Sequence, residues 1–394
     1  MMFQAVLGNP GHPEYGVATI PFPIPHDQYA HCMELLGALE IGDAVKADCK
    51  VTKIDSFYTV LKRTEMLTVN VEELNYLAKR LESFDTGEAA QFQAMSHKLE
   101  FFELKDLINL TFCCQQATVI TDFSDLAAVG RDHYMNLHGG SASVDELNKL
   151  DSEETARRLI ESGGGTITPY GVVYDNGMKL EQVYDGRFFP CYYYEPNAIT
   201  VAVTSKAEPE DTEHITWLFL PMIQDEIDRA LLRGGITDSE DVRLRLENSQ
   251  LPNEVDVLLD MEYETLSDLN ALAQAADALS TDDMKKLGAV VTMAKPQNAE
   301  QVKNLAENLD LLDFAPGAHT PEEYGKYMIR QSGHFDYDEN LDEFYDYEGY
   351  ALQRMNEEGG MFTDRGYIAY KGYISMEEVM NGSQSSHMEM GGMM

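Results

Sequence analysis

Between Asp336 and Glu348 the chain reads DYDENLDEFYDYE. Seven of its thirteen residues are carboxylates, namely Asp336, Asp338, Glu339, Asp342, Glu343, Asp346 and Glu348, with no lysine or arginine among them. Carboxylates at this density can hold a cation, serve as the acid and base of a hydrolase, or present negative charge to a basic partner. Phe335, Tyr337, Phe344, Tyr345 and Tyr347 are interleaved with them, so the segment is expected to dock its rings on a core while its acids face water. The bland alternative is a solvated face whose charge only keeps the protein soluble.

The metal and nucleophile readings are weak at the level of spacing. Asp336-x-Asp338-x-Asn340 opens like a calcium loop, but Leu341 stands where such a loop needs glycine and Tyr347 where it needs a bidentate glutamate. Gly163-Gly164-Gly165-Thr166 lacks the lysine of a phosphate-binding loop and follows a helix, so it reads as a helix cap and turn. No histidine pair has zinc-protease spacing, and His133, His138, His319 and His334 read as loop or surface residues. There is no Gly-x-Ser-x-Gly elbow, and Cys113-Cys114 lies in an apolar stretch without a neighbouring base. The five cysteines, Cys32, Cys49, Cys113, Cys114 and Cys191, form no CxxC pair and read as buried free thiols. The expectation is a non-enzyme with no catalytic residue, no metal site and no cofactor.

The whole chain shares the bias of the segment. Its 394 residues hold 68 Asp+Glu against 29 Lys+Arg, a net charge of −39. Such a chain is repelled by nucleic acid and by anionic membranes. At 44% hydrophobic and 10% aromatic it is too apolar for an acidic disordered chain and should fold. No window is apolar enough to span a bilayer and Met1–Pro10 has no basic-then-apolar leader, which predicts a cytoplasmic protein. Solubility needs a net charge of only about 2 to 8 in a small domain. Duplex DNA carries one charge per about 1.7 Å, so 39 charges correspond to roughly 65 Å of duplex, or about 20 base pairs. A protein displaying them could occupy the DNA-binding groove of another protein.

The elements that must position these acids are written twice. At an offset of 195, Leu74-Asn75 recurs as Leu269-Asn270, Leu77-Ala78 as Leu272-Ala273, Asn109-Leu110 as Asn304-Leu305, and Gly164-Gly165 as Gly359-Gly360. This register reads as a tandem duplication. Residues 1–195 hold 29 acids and 15 bases, and residues 196–394 hold 39 and 14, so the net charges are −14 and −25. Each copy alternates classes. Strands are expected at Phe3–Leu7, Gly16–Pro21 and Cys49–Phe57, then at Ile199–Val203, Ile215–Leu220 and Val242–Leu246. Helices are expected at Pro25–Leu36 and Gln224–Leu232, and from the caps Asn70 and Thr265. Each copy closes with a short strand, Thr166–Tyr174 or Met361–Tyr370, and Arg187–Tyr194 (RFFPCYYY) reads as a strand special to the junction.

The stretch Asp346-Tyr347-Glu348, Tyr350, Arg354 and Phe362-Thr363-Asp364-Arg365-Gly366-Tyr367-Ile368 resembles the closing segment of ArdA antirestriction proteins. The likeness is best over 320–370. It reaches the first copy through the repeat, where Asp151, Glu153, Gly164, Gly165, Thr168 and Gly171 answer Asp346, Glu348, Gly359, Gly360, Thr363 and Gly366. The resemblance implies an α+β fold, an elongated tandem array of small mixed modules comprising two ArdA-like units. The first would span 1–175 and the second 198–374, with a junction strand or linker at 176–197 and a disordered tail at 375–394. It further implies a non-catalytic DNA mimic that blocks type I restriction–modification enzymes by filling the groove of the methyltransferase core.

On that reading Asp336, Asp338, Glu339, Asp342, Glu343, Asp346 and Glu348 stand in for phosphates, with Asp145, Glu146, Asp151, Glu153 and Glu154 in the first copy. Family members are about half as long and pair as dimers, so this chain would be a built-in pseudo-dimer, with further homodimerisation left open. Copy one reads SASVDELNKL (Ser141–Leu150) where copy two has Asp336–Tyr345, so its mimicry should be the weaker. The alternatives are a mimic aimed at another DNA-binding system such as a CRISPR effector, and a carboxylate-based cation-binding protein or hydrolase.

Overall fold

The computed structural model describes residues 1–207, 213–238 and 240–382. The chain divides into two compact units, one of Met1–Tyr194 with Asp228–Gly235 and one of Glu195–Ile227 with Ile236 onward. Both are α+β, built from small antiparallel sheets and short helices.

In the first unit, strands β1 (Phe3–Gly8) and β2 (Val17–Phe22) precede helix α1 (Tyr29–Gly37), and β3 (Cys49–Ser56) and β4 (Thr68–Val69) follow it. They form an antiparallel sheet in the order β2-β1-β3-β4. Alternation decides its buried face, because Phe3, Ala5 and Leu7 of β1 and Ala18, Ile20 and Phe22 of β2 point inward at every second residue. Helix α2 (Val71–Glu82) begins where Asn70 accepts bonds from the backbone N–H groups of Glu72 and Glu73, and it buries Leu74, Leu77, Ala78 and Leu81. Then come α3 (Thr86–Leu99), α4 (Leu104–Leu110), β5 (Thr118–Ile120), α5 (Leu126–Leu137), α6 (Val144–Lys149) and α7 (Ser152–Glu161). The expected closing strand is a hairpin, β6 (Thr166–Thr168) and β7 (Gly171–Tyr174), in a sheet ordered β5-β7-β6.

Residues 187–194 are not a strand. Their rings pack sideways on α2 instead: Phe189 stacks on Tyr76 at 4.5 Å, and the Arg80 guanidinium lies 4.4 Å over Tyr192. Pro190 has no N–H to donate to a ladder, and its carbonyl accepts from the Tyr76 hydroxyl at 2.9 Å. The aromatic alternation that suggests a strand is here a side-chain anchor for an irregular segment.

Arg233, only 5% exposed, ties this segment to the start of α2. Its Nε donates to the Arg187 carbonyl at 2.7 Å, and its Nη1 donates to the Ala44 carbonyl and Asn70 Oδ1, both at 3.0 Å. Its Nη2 reaches the Tyr184 hydroxyl, which itself donates to Glu73 at 2.7 Å. Burial pushes the Glu73 carboxyl above its usual range. Removing one member of such a buried charged set leaves the others unpaired, so Arg233→Met should cost about 3 kcal/mol in urea unfolding. A loss below about 0.5 kcal/mol would show that the network is dispensable.

In the second unit, β8 (Ile199–Ser205), β9 (Thr216–Leu220), α8 (Gln224–Arg233) and β10 (Val242–Ser249) come first, with the strands ordered β10-β8-β9. The last residues of α8 belong to the first unit. Next are α9 (Asn253–Leu258), α10 (Leu266–Asp277), α11 (Thr281–Ala294), α12 (Ala299–Ala306), β11 (Leu312–Pro316), α13 (Pro321–Arg330) and α14 (Tyr347–Glu358). A hairpin, β12 (Met361–Thr363) and β13 (Gly366–Tyr370), completes a sheet ordered β11-β13-β12. Thr265 caps α10 through the Asp268 N–H at 3.1 Å. Part of the expected tail is ordered: α15 (Met376–Met380) is helical, because Ser375 and Glu378 form a reciprocal cap. The rest of that expected tail, 383–394, lies outside the described residues.

The two closing sheets agree in detail. Ile120 pairs with Val172, and Ala315 pairs with Tyr367. The Thr168 hydroxyl donates to the Gly171 carbonyl and the Thr363 hydroxyl to that of Gly366, each at 2.8 Å. Gly171 and Gly366 sit at φ 126° and 138°, a region that excludes a side chain. The small cores correspond too, with Ile120, Val129, Ala156 and Tyr174 in one and Ala315, Tyr324, Ala351 and Ala369 in the other.

Candidate acidic interaction surface

Helices α13 and α14 are the frame on which the acid run is mounted. They cross so closely that a Cβ on Gly325 would lie 2.0 Å from the Tyr347 carbonyl oxygen. Asp346 accepts from the Gly349 N–H at 2.9 Å and so caps α14, whose first residue, Tyr347, is buried. The loop between the helices includes a tight 3-10 turn, Glu339–Phe344, begun by Asp338, which accepts from the Asn340 N–H at 2.9 Å.

The seven carboxylates separate into three kinds. Asp342 turns inward, where it accepts from the Tyr337 hydroxyl at 2.6 Å and also from the Tyr347 hydroxyl and the Arg330 guanidinium. Asp338 and Asp346 are exposed but serve as caps. Asp336, Glu339, Glu343 and Glu348 are exposed and meet no cation among the described residues. These four present uncompensated charge outward. The rings do not all dock as expected: Tyr347 is buried, whereas Phe344 is 78% exposed and Phe335, edge-on to Tyr350 at 5.7 Å, is 47% exposed.

The hydrogen bonds of the Tyr337 and Tyr347 hydroxyls, with those of Arg330, hold the Asp342 carboxyl down at about 2, below the ordinary 3.8. A depressed carboxyl contributes stability in full above the ordinary carboxylate range, and that stability is lost as pH falls toward 2. The melting temperature of Asp342→Asn should therefore lie below that of the parent at pH 7, and the gap should close between about pH 5 and pH 2. A gap unchanged by pH would mean that the charge on Asp342 contributes nothing.

The first-half acids are differently placed. Glu153 and Glu154 pair with Arg157 at 3.2 Å and Arg158 at 2.9 Å one helical turn on. Asp151 caps α7 through the Glu154 N–H at 3.1 Å, and Glu146 closes a reciprocal cap with Ser143. Asp145 alone of that set is exposed without a partner among the described residues. The i,i+4 spacing of Glu153-Glu154 and Arg157-Arg158 was the signal available in the sequence. The Arg330–Asp342 contact spans twelve residues and leaves no such signal.

Asn340 donates through both its backbone N–H and its side chain to one Asp338 oxygen, occupying an atom the calcium reading needed. Among the described residues no group of three or more His, Cys, Asp or Glu side chains could hold a metal ion. Cys32, Cys49, Cys113 and Cys114 are buried, and burial pushes the Cys49 and Cys114 thiols well above the usual range, away from the thiolate a nucleophile requires. Among the described residues no helix is long and apolar enough to cross a membrane.

This acidic helix-loop-helix and, but for Tyr370, its three-stranded sheet lie inside a region, residues 212–369, that matches the family model of an antirestriction protein. The family is ArdA, and the match covers this part of the chain alone. No curated protein matches the chain. The matched region contains the whole acid run, while residues 1–195 lie outside it.

Proposed function

We propose that the protein is a non-catalytic antirestriction protein acting in the cytoplasm, which imitates duplex DNA and occupies the DNA-binding groove of a type I methyltransferase core. The observation that carries this reading is the set Asp336, Glu339, Glu343 and Glu348, exposed and without a cation partner among the described residues, within the ArdA-matching region. Uncompensated carboxylates offer a basic groove what phosphates offer it, and they steer association. We further propose two ArdA-like repeats, 1–175 and 198–374, joined by 176–197. The common register of Ile120–Val172 and Ala315–Tyr367 supports this.

The test is competition with labelled duplex for a purified type I methyltransferase core. The protein should displace DNA at near-stoichiometric ratio, and its affinity should fall about tenfold or more between 50 and 200 mM salt. Failure to displace DNA at any salt concentration would refute the proposal.

A further inference from the structure

The 3-10 turn Glu339–Phe344 has three residues per turn, so side chains three apart stand over one another. Asp342 turns inward to Arg330, Tyr337 and Tyr347. Leu341 and Phe344 share a different face, 48% and 78% exposed. That is an unusual place for two apolar side chains, with Glu339 and Glu343, unpaired among the described residues, beside them. The first half has no counterpart, since at the same offset α6 carries Glu146, locked in its cap, and Lys149.

We infer that Leu341 and Phe344 form an apolar anchor that enters a recess in the floor of a cationic protein groove, so that binding is not purely electrostatic. The inference rests on the mimic reading and adds to it a chemical requirement on the partner. Charge complementarity selects the occupant. A second copy of this face would bring its own unpaired carboxylates against Glu339 and Glu343, and an anionic bilayer would be repelled. A basic groove neutralises the rim while its apolar recess covers the rings, the arrangement of a buried anchor inside a polar rim.

The two contributions differ in salt response. Charge contacts weaken as salt rises, whereas apolar burial does not. Binding of the full chain to a purified type I methyltransferase core would be measured at 50, 150 and 300 mM NaCl, with the fold checked by melting temperature and self-association by sedimentation. The double variant Leu341→Ala/Phe344→Ala should bind about tenfold or more weakly at every salt concentration, with the parent's salt slope. Glu339→Gln/Glu343→Gln should instead flatten the slope. An apolar variant within twofold of the parent, beside a flattened acid variant, overturns the anchor and leaves the mimic reading standing. A parent that self-associates through these residues, becoming monomeric in the apolar variant, also overturns it. No binding by the parent removes both.

Discussion

Replacing Asp336, Glu339, Glu343 and Glu348 together by lysine abolishes inhibition and leaves the melting temperature within a few degrees of the parent. None of the four bonds to a cation among the described residues, so no ion pair described in the fold loses a partner. The net charge moves from −39 to −31, which relieves self-repulsion slightly. At a basic groove the effect is of another size. Each reversal turns an attraction worth about 0.5–1 kcal/mol into a comparable repulsion, so four together cost at least about 4 kcal/mol, or roughly a thousandfold in affinity. Reversing Asp145, Glu146, Asp151, Glu153 and Glu154 should cost less, because Arg157 and Arg158 already neutralise two of them. DNA competition by both variants, with circular dichroism as the fold check, decides the matter. Undiminished inhibition by the quadruple variant would remove the acid run from the interface.

The substitution Gly325→Ala is expected to destabilise the second unit by about 3 kcal/mol or more, at the upper end of what overpacking costs. The added Cβ would lie 2.0 Å from the Tyr347 carbonyl oxygen and 2.7 Å from its carbon. Both atoms are backbone and neither can rotate away. Helices α13 and α14 must then separate, loosening the small core of Ala315, Tyr324, Ala351 and Tyr367. Tyr347 also donates to Asp342, so the same displacement disturbs the loop that carries the acids. Gly130→Ala provides a comparison in the first unit, where the clash is with the Ser152 carbonyl oxygen at 1.8 Å. It should destabilise similarly while affecting inhibition less. Urea unfolding checks the first expectation, and a loss under about 0.5 kcal/mol would refute it.

Much of the local architecture is legible in the residues because it depends on near neighbours. Asn70 and Thr265 announce the starts of α2 and α10, since a cap acts over two or three residues. Alternation places Phe3, Ala5 and Leu7 on the buried face of β1 for the same reason. The α+β class follows from these signals together. The segment 187–194 shows the limit: its aromatic run suits a strand, but strand formation needs a backbone partner, and the available surface was the side of α2.

The site divides along the same line. That the protein is strongly acidic, that its acids concentrate at 336–348, and that this stretch resembles an antirestriction family are properties of residue order alone. Which carboxylates remain available to a partner is not. Asp342 and Glu343 are adjacent acids, yet one is bound by Arg330, Tyr337 and Tyr347 and the other is exposed without a cation among the described residues. A carboxylate's charge is usable only when nothing in the fold compensates it, and compensation is a short-range effect among groups that only the packing of α13 against α14 brings together.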